Sequence, residues 1–117
     1  MENTGHFVMA LQRLGGDEEL FQELATYFLE DADELLNAVR TGFARGDAEN
    51  VGRAAHSLRG LAANFEAEQV ISIASSIEQM AFRGELQAVP SALVDLEAEV
   101  QSLRGLLQDY ATHQKSV

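Results

Sequence analysis

His56 lies in the stretch Val51-Gly52-Arg53-Ala54-Ala55-His56-Ser57-Leu58-Arg59-Gly60-Leu61-Ala62-Ala63, whose apolar residues recur at helical spacing. On a helical wheel Leu58, Phe65, Ala54 and Val51 fall within roughly 40° of the side opposite His56. The imidazole is therefore expected at the centre of the outward face. Arg59 and Gly60 lie one turn on, Ala63 two turns on, and Gly52 and Arg53 one turn back. Glycine inside a helix costs about 0.5–1 kcal/mol relative to alanine, so Gly52 and Gly60 call for a reason. Clearance supplies one: small residues let a partner's backbone or a phosphoryl group come close to the ring. A neutral imidazole nitrogen is a good nucleophile near neutral pH. Arg59 can screen and hydrogen-bond an anionic group carried on that nitrogen, with Arg53 a second candidate for the task.

Other chemistries find little support. A di-iron bundle needs Glu-x-x-His pairs on facing helices, and the sequence has none. His-Glu-x-x-His, a calcium loop and a Gly-rich phosphate loop are equally missing, which argues against a metal site and against any nucleotide or ATP site. Ser57 is about 100° round the helix from His56, so a hydrolytic triad does not assemble. The acidic run Glu30-Asp31-Ala32-Asp33-Glu34 reads as a solvated helix face, and His6 and His113, near the termini, read as surface residues. Asn64, off the histidine face, is expected to serve the helix end.

The chain that positions these residues has 117 amino acids, 46% of them hydrophobic, which suits one domain with one core. Eight Lys and Arg against nineteen Asp and Glu give a net charge of −11. So acidic a surface repels phosphate backbones and anionic lipid heads, disfavouring nucleic-acid and membrane partners. Without cysteine there is no disulfide, thiol nucleophile or thiolate metal site. No apolar run approaches the roughly 18 residues of a membrane span. Residues 1–5 carry neither the basic region nor the apolar core of a signal peptide. A cytoplasmic protein, monomeric by default, is expected.

No stretch alternates in the manner of a strand, and helical spacing runs almost throughout. The spacing predicts helices over about 6–14, 17–45, 48–65, 68–83 and 90–112: an all-α, antiparallel four-helix bundle with a short extra N-terminal helix. Asp17 and Asp47 are N-cap residues, Gly46 and Arg83-Gly84 are stops, and Pro90 suits a first turn. Phe21, Leu24, Phe28, Leu35 and Val39 trace the stripe of the second helix. Val70, Ile73, Ala74, Ile77, Met80 and Ala81 do so for the fourth. In the last helix Leu93, Leu96, Val100, Leu103 and Leu107 alternate gaps of three and four, the seam of a coiled coil, and the tail after Tyr110 is expected to fray.

The run Ala55-His56-Ser57-Leu58-Arg59-Gly60-Leu61-Ala62-Ala63-Asn64-Phe65 closely resembles the signature of histidine-containing phosphotransfer (HPt) domains. The likeness is strongest over residues 47–67 and extends loosely over most of the chain. It implies a phosphorelay intermediate of two-component signalling, in which His56 accepts a phosphoryl group from an aspartyl phosphate on one receiver domain and passes it to another. Arg59 stands at the family's basic position and Gly60 at its glycine. Glu78 stands where several relatives carry a polar side chain, often Gln, beside the histidine; a carboxylate there would orient the ring yet repel a bound phosphoryl group. Glu66 replaces the family's usual glycine after the Asn-apolar pair, a departure that bears on the turn between the third and fourth helices.

The resemblance also implies that the chain is a carrier rather than an enzyme, without a cofactor of its own. A response-regulator receiver would supply the aspartate and Mg²⁺, with a hybrid sensor histidine kinase a further possible partner. Phe7, Val8, Met9 and Leu61 are candidates for the apolar part of the docking surface. Two other readings compete: a helical module that docks a receiver or partner helix without phosphotransfer, and a metal-binding bundle.

Overall fold

The computed structural model describes residues 7–116, with side chains as far as Thr112. Helix α1 spans Val8–Arg13, α2 Glu18–Ala44, α3 Ala48–Ala63, α4 Glu68–Arg83 and α5 Val89–Ser116, with a 3₁₀ turn at Leu86–Ala88. Helix α2 packs on α3, α3 on α4, α4 on α5 and α5 back on α2, closing a four-helix bundle.

The starts are set by capping. The Asp17 carboxylate accepts from the Leu20 N–H at 3.0 Å, and that of Asp47 accepts from Asn50 N–H at 3.2 Å. Glu18 and Glu19 add negative charge to the first turn of α2. The ends of α1 to α4 share one device, in which an amide reaches back to a carbonyl five residues earlier. These bonds are Gly16 to Leu11, Asp47 to Gly42, Ala67 to Ala62 and Glu85 to Met80. The residue before each donor has positive φ: Gly15, Gly46 and Gly84 in three cases, and Glu66, with φ 56°, in the fourth. Glu66 therefore takes up the left-handed backbone that the missing glycine would have supplied. Its carboxylate forms an ion pair with Arg13, whose guanidinium also donates to Ala63 O at 3.5 Å, tying α1 to this turn.

The core differs in several places from the spacing-based expectation. In α2 the buried stripe is Phe21, Ala25, Phe28, Ala32, Leu36 and Val39; Leu24 and Leu35 are half-buried on its flank. The alanines bring the neighbouring helices close. Helix α3 ends at Ala63 rather than Phe65, although Phe65 still points inward from the turn. The 3₁₀ turn winds directly into α5, which begins at Val89 and holds Pro90 in its first turn. Tyr110 is buried, and α5 runs past it to Ser116.

Phe7 requires a correction. It is 2% exposed, with its ring centroid 5.2 Å from Phe21 and 6.0 Å from Tyr110, so it is a core residue and cannot meet a partner. With Phe28 and Phe65 these rings fill one end of the bundle in tilted and edge-on pairs, a geometry worth about 0.5–1.5 kcal/mol per pair beyond area burial. Residue 6, the first of the expected opening helix, and the placement of the His6 and His113 side chains lie outside the described residues.

Candidate functional site

Helix α3 turns Val51, Ala54, Ala55, Leu58 and Ala62 into the core, and this places His56 outward. The His56 side chain is 63% exposed. Across the groove, α4 buries Val70, Ala74, Ile77 and Ala81, which leaves Glu78 at the α3 border. The two helices pack closely: a Cβ on Gly52 would sit 3.3 Å from that of Ala81. Gly52 thus serves helix packing, not clearance for a ligand. At Gly60 an added Cβ would meet nothing within 4 Å, so that glycine leaves open space beside the histidine.

Three side chains form one cluster. Nδ1 of His56 is 2.8 Å from Oε2 of Glu78, Nε of Arg59 donates to Oε1 of Glu78 at 3.0 Å, and a terminal nitrogen of Arg59 is 3.0 Å from His56 Nδ1. Burial pushes the Glu78 carboxyl up, but hydrogen bonds from His56 and Arg59, together with their charge, outweigh it and hold the carboxyl below its ordinary value. An ionised carboxylate only accepts, so the proton between it and the ring belongs to Nδ1. The alternative tautomer would set a bare nitrogen lone pair 2.8 Å from a negative oxygen. With Nδ1–H donating to Glu78, the close Arg59 nitrogen is an electrostatic neighbour and not a donor to the ring. In the neutral ring Nε2 then keeps its lone pair, on an imidazole held in one orientation.

The remaining site candidates divide. Arg53 is held by Glu49 at 3.2 Å, one turn back, although both line the same open depression as His56. Ala63, near the end of α3, lends its carbonyl to Arg13, and Asn64 closes the helix. Val8 and Met9 are exposed on α1, while Leu61 is half-buried.

Phe82 did not emerge from the sequence. It is 89% exposed on α4 and lines the depression with His56, Glu78 and Gly52. An aromatic residue one position beyond the buried Ala81 was the available signal. On the α2 side, Asp31 and Glu34 border a second shallow depression with Ser57, Gly60 and Leu61. Among the described residues no three His, Cys, Asp or Glu side chains are gathered as metal ligands, and no helix is long and apolar enough to cross a membrane.

Comparison with known proteins agrees with this fold. The chain has no match among the curated protein sequences. Its backbone is similar to that of histidine-containing phosphotransfer protein B (HptB) from Pseudomonas aeruginosa PAO1, with a TM-score of 0.84 and 27% identity over 92% of this chain and 96% of that one. It is also similar in fold to the HPT domain from a sensor hybrid histidine kinase of Shewanella, with a TM-score of 0.81 and 14% identity over 92% of each chain. The Hpt domain family model matches residues 23–106, a span that includes His56, Arg59, Gly60 and Glu78. The chain belongs to the Hpt domain family, the phosphoryl-carrying intermediates of two-component phosphorelays.

Proposed function

We propose that His56 carries the phosphoryl group, and that it does so on Nε2. The supporting observation is the Glu78–His56 contact of 2.8 Å, which favours a proton on Nδ1 and so leaves Nε2 of an exposed ring as the nucleophile. In the forward step the Nε2 lone pair attacks the phosphorus of a receiver's aspartyl phosphate. The P–O bond breaks, its electron pair returns to the receiver carboxylate, and an Nε2–P bond forms. Transfer to a second receiver reverses these events. The receiver supplies the aspartate and the Mg²⁺ that neutralises the moving phosphoryl group, while this chain supplies a nucleophile held ready in orientation.

Arg59, bonded to Glu78 and 37% exposed at its side chain, screens the negative charge that arrives at the ring. Gly60 leaves room for the receiver loop to approach. The docking surface combines Val8, Met9 and Leu61 with Phe82 in place of Phe7. A cytoplasmic, monomeric carrier that meets its receivers transiently fits this role.

The test is intact-mass analysis after incubation with a phosphoramidate donor, on the wild-type protein and His56→Gln in parallel. One acid-labile phosphoryl group on the wild type alone is expected. Equal labelling of both would move the site elsewhere. Labelling of neither, with the protein folded and a known histidine carrier labelled alongside, would favour docking without phosphotransfer.

A further inference from the structure

We infer that Glu78 is a positioning residue for discharge as well as for capture: its carboxylate keeps Nδ1 of phosphorylated His56 protonated, so that the phosphoryl group remains readily transferable. This rests on His56 being the carrier.

The basicity of the departing ring decides how easily the phosphoryl group leaves. When the acceptor oxygen of a receiver carboxylate, or of water, attacks the phosphorus, the Nε2–P bond breaks and its electron pair returns to Nε2. If Nδ1 holds a proton, the ring departs as neutral imidazole and that proton stays in place. If Nδ1 is bare, the ring must depart as the far more basic imidazolate. With water as acceptor the products are inorganic phosphate and a proton released to solvent. Retention of the Nδ1 proton in the charged state therefore governs how easily the group leaves.

Glu78 is built for that retention. Its Oε2 is 2.8 Å from Nδ1, and its own ionisation is secured by Arg59 at Oε1. A glutamine could accept the same Nδ1–H bond but would bring no negative charge. The other charged groups around the ring sit on three helices. On α3 they are Arg59 itself and the Arg53–Glu49 pair, one and two turns back; on α4 Glu78 alone; on α2 Asp31 and Glu34, bordering the Ser57–Gly60 depression. Of these carboxylates only Glu78 touches the ring. The same charge repels a phosphoryl group on Nε2, which again favours passing it on over storing it.

The experiment compares wild-type protein with Glu78→Gln, each charged with phosphoramidate, freed of donor, and followed by intact mass from about pH 5 to about pH 9. Discharge should slow as pH rises in both proteins. In Glu78→Gln the decline should begin about one pH unit lower, as expected when a neighbouring opposite charge is removed. Toward the alkaline end the variant's phosphoryl group should then survive about tenfold longer. Superimposed profiles would overturn the inference and leave His56 as carrier. Failure of folded Glu78→Gln to charge would also overturn it, since Gln preserves an acceptor for Nδ1–H. Wild-type protein that takes no phosphoryl group would instead defeat the assignment of His56, and this inference with it.

Discussion

Replacing Glu66 with glycine should stabilise this protein even though it removes an ion pair. Glu66 has φ 56° at the end of α3, the position that Gly15, Gly46 and Gly84 occupy after three other helices. An L-residue in that left-handed conformation is strained by about 1–2 kcal/mol, a cost glycine escapes. Two terms oppose the gain. The Arg13–Glu66 pair, with side chains 64% and 30% exposed, is worth about 0.5 kcal/mol. Glycine's greater freedom in the unfolded chain removes a further 0.5 kcal/mol or so. The net expectation is a gain of about 0.5 kcal/mol in the wild-type background and about 1 kcal/mol in an Arg13→Ala background, where no pair remains to be lost. For a domain of this size the first corresponds to a Tm rise of about 2–3 °C. Urea denaturation followed by circular dichroism, on the four proteins of the Arg13→Ala and Glu66→Gly cycle, measures each quantity. A loss of stability on Glu66→Gly in the Arg13→Ala background would refute the backbone argument, because the ion pair could not be responsible.

Two glycines should respond oppositely to alanine. Gly60→Ala meets nothing within 4 Å and should gain about 0.5–1 kcal/mol from helix propensity while slowing transfer to a receiver. A Cβ on Gly42 would lie 2.9 Å from Val51 Cγ2 and 3.1 Å from the Val51 backbone nitrogen, so Gly42→Ala should cost about 1–3 kcal/mol; thermal unfolding of both variants decides. The lowered pKa of Glu78 also makes a pH prediction. The folded state holds its carboxylate more tightly than the unfolded state, so its contribution to stability is present above its ordinary 4.5 and is lost as pH falls through the lowered value. Glu78→Gln should therefore show a shallower loss of stability with acid, read from urea midpoints over that range.

The helices were legible because the large apolar residues keep a helical period and the caps are of standard types. What periodicity could not supply were the contributions of small residues. Ala25 and Ala32 carry little hydrophobic signal, so spacing alone runs the stripe of α2 through Leu24 and Leu35. Gly42 gave no sign of its close contact with Val51, since the partner lies across a turn. Phe7 precedes a helix too short to show a face, and only the aromatic cluster reveals that it is buried. His56, Arg59 and Gly60 share one helix, where spacing alone brings them together. Glu78 lies 22 residues on, beyond a reversal, and only the family resemblance placed it beside the ring; the geometry then gave it a contact. Glu66 stood out as a departure from the family pattern, but its answer, a non-glycine residue in a left-handed turn held to Arg13, needed the fold.

On the proposed mechanism, a proton on Nδ1 leaves Nε2 of His56 as the phosphoryl acceptor. Two-bond proton–nitrogen NMR on protein made with nitrogen-labelled histidine tests it directly, before and after charging with phosphoramidate. His56 is expected in the Nδ1–H tautomer when uncharged and phosphorylated at Nε2 afterwards, with the other two histidines unchanged. An Nε2–H tautomer at His56, or a phosphoryl group on its Nδ1 or on His6 or His113, would contradict it.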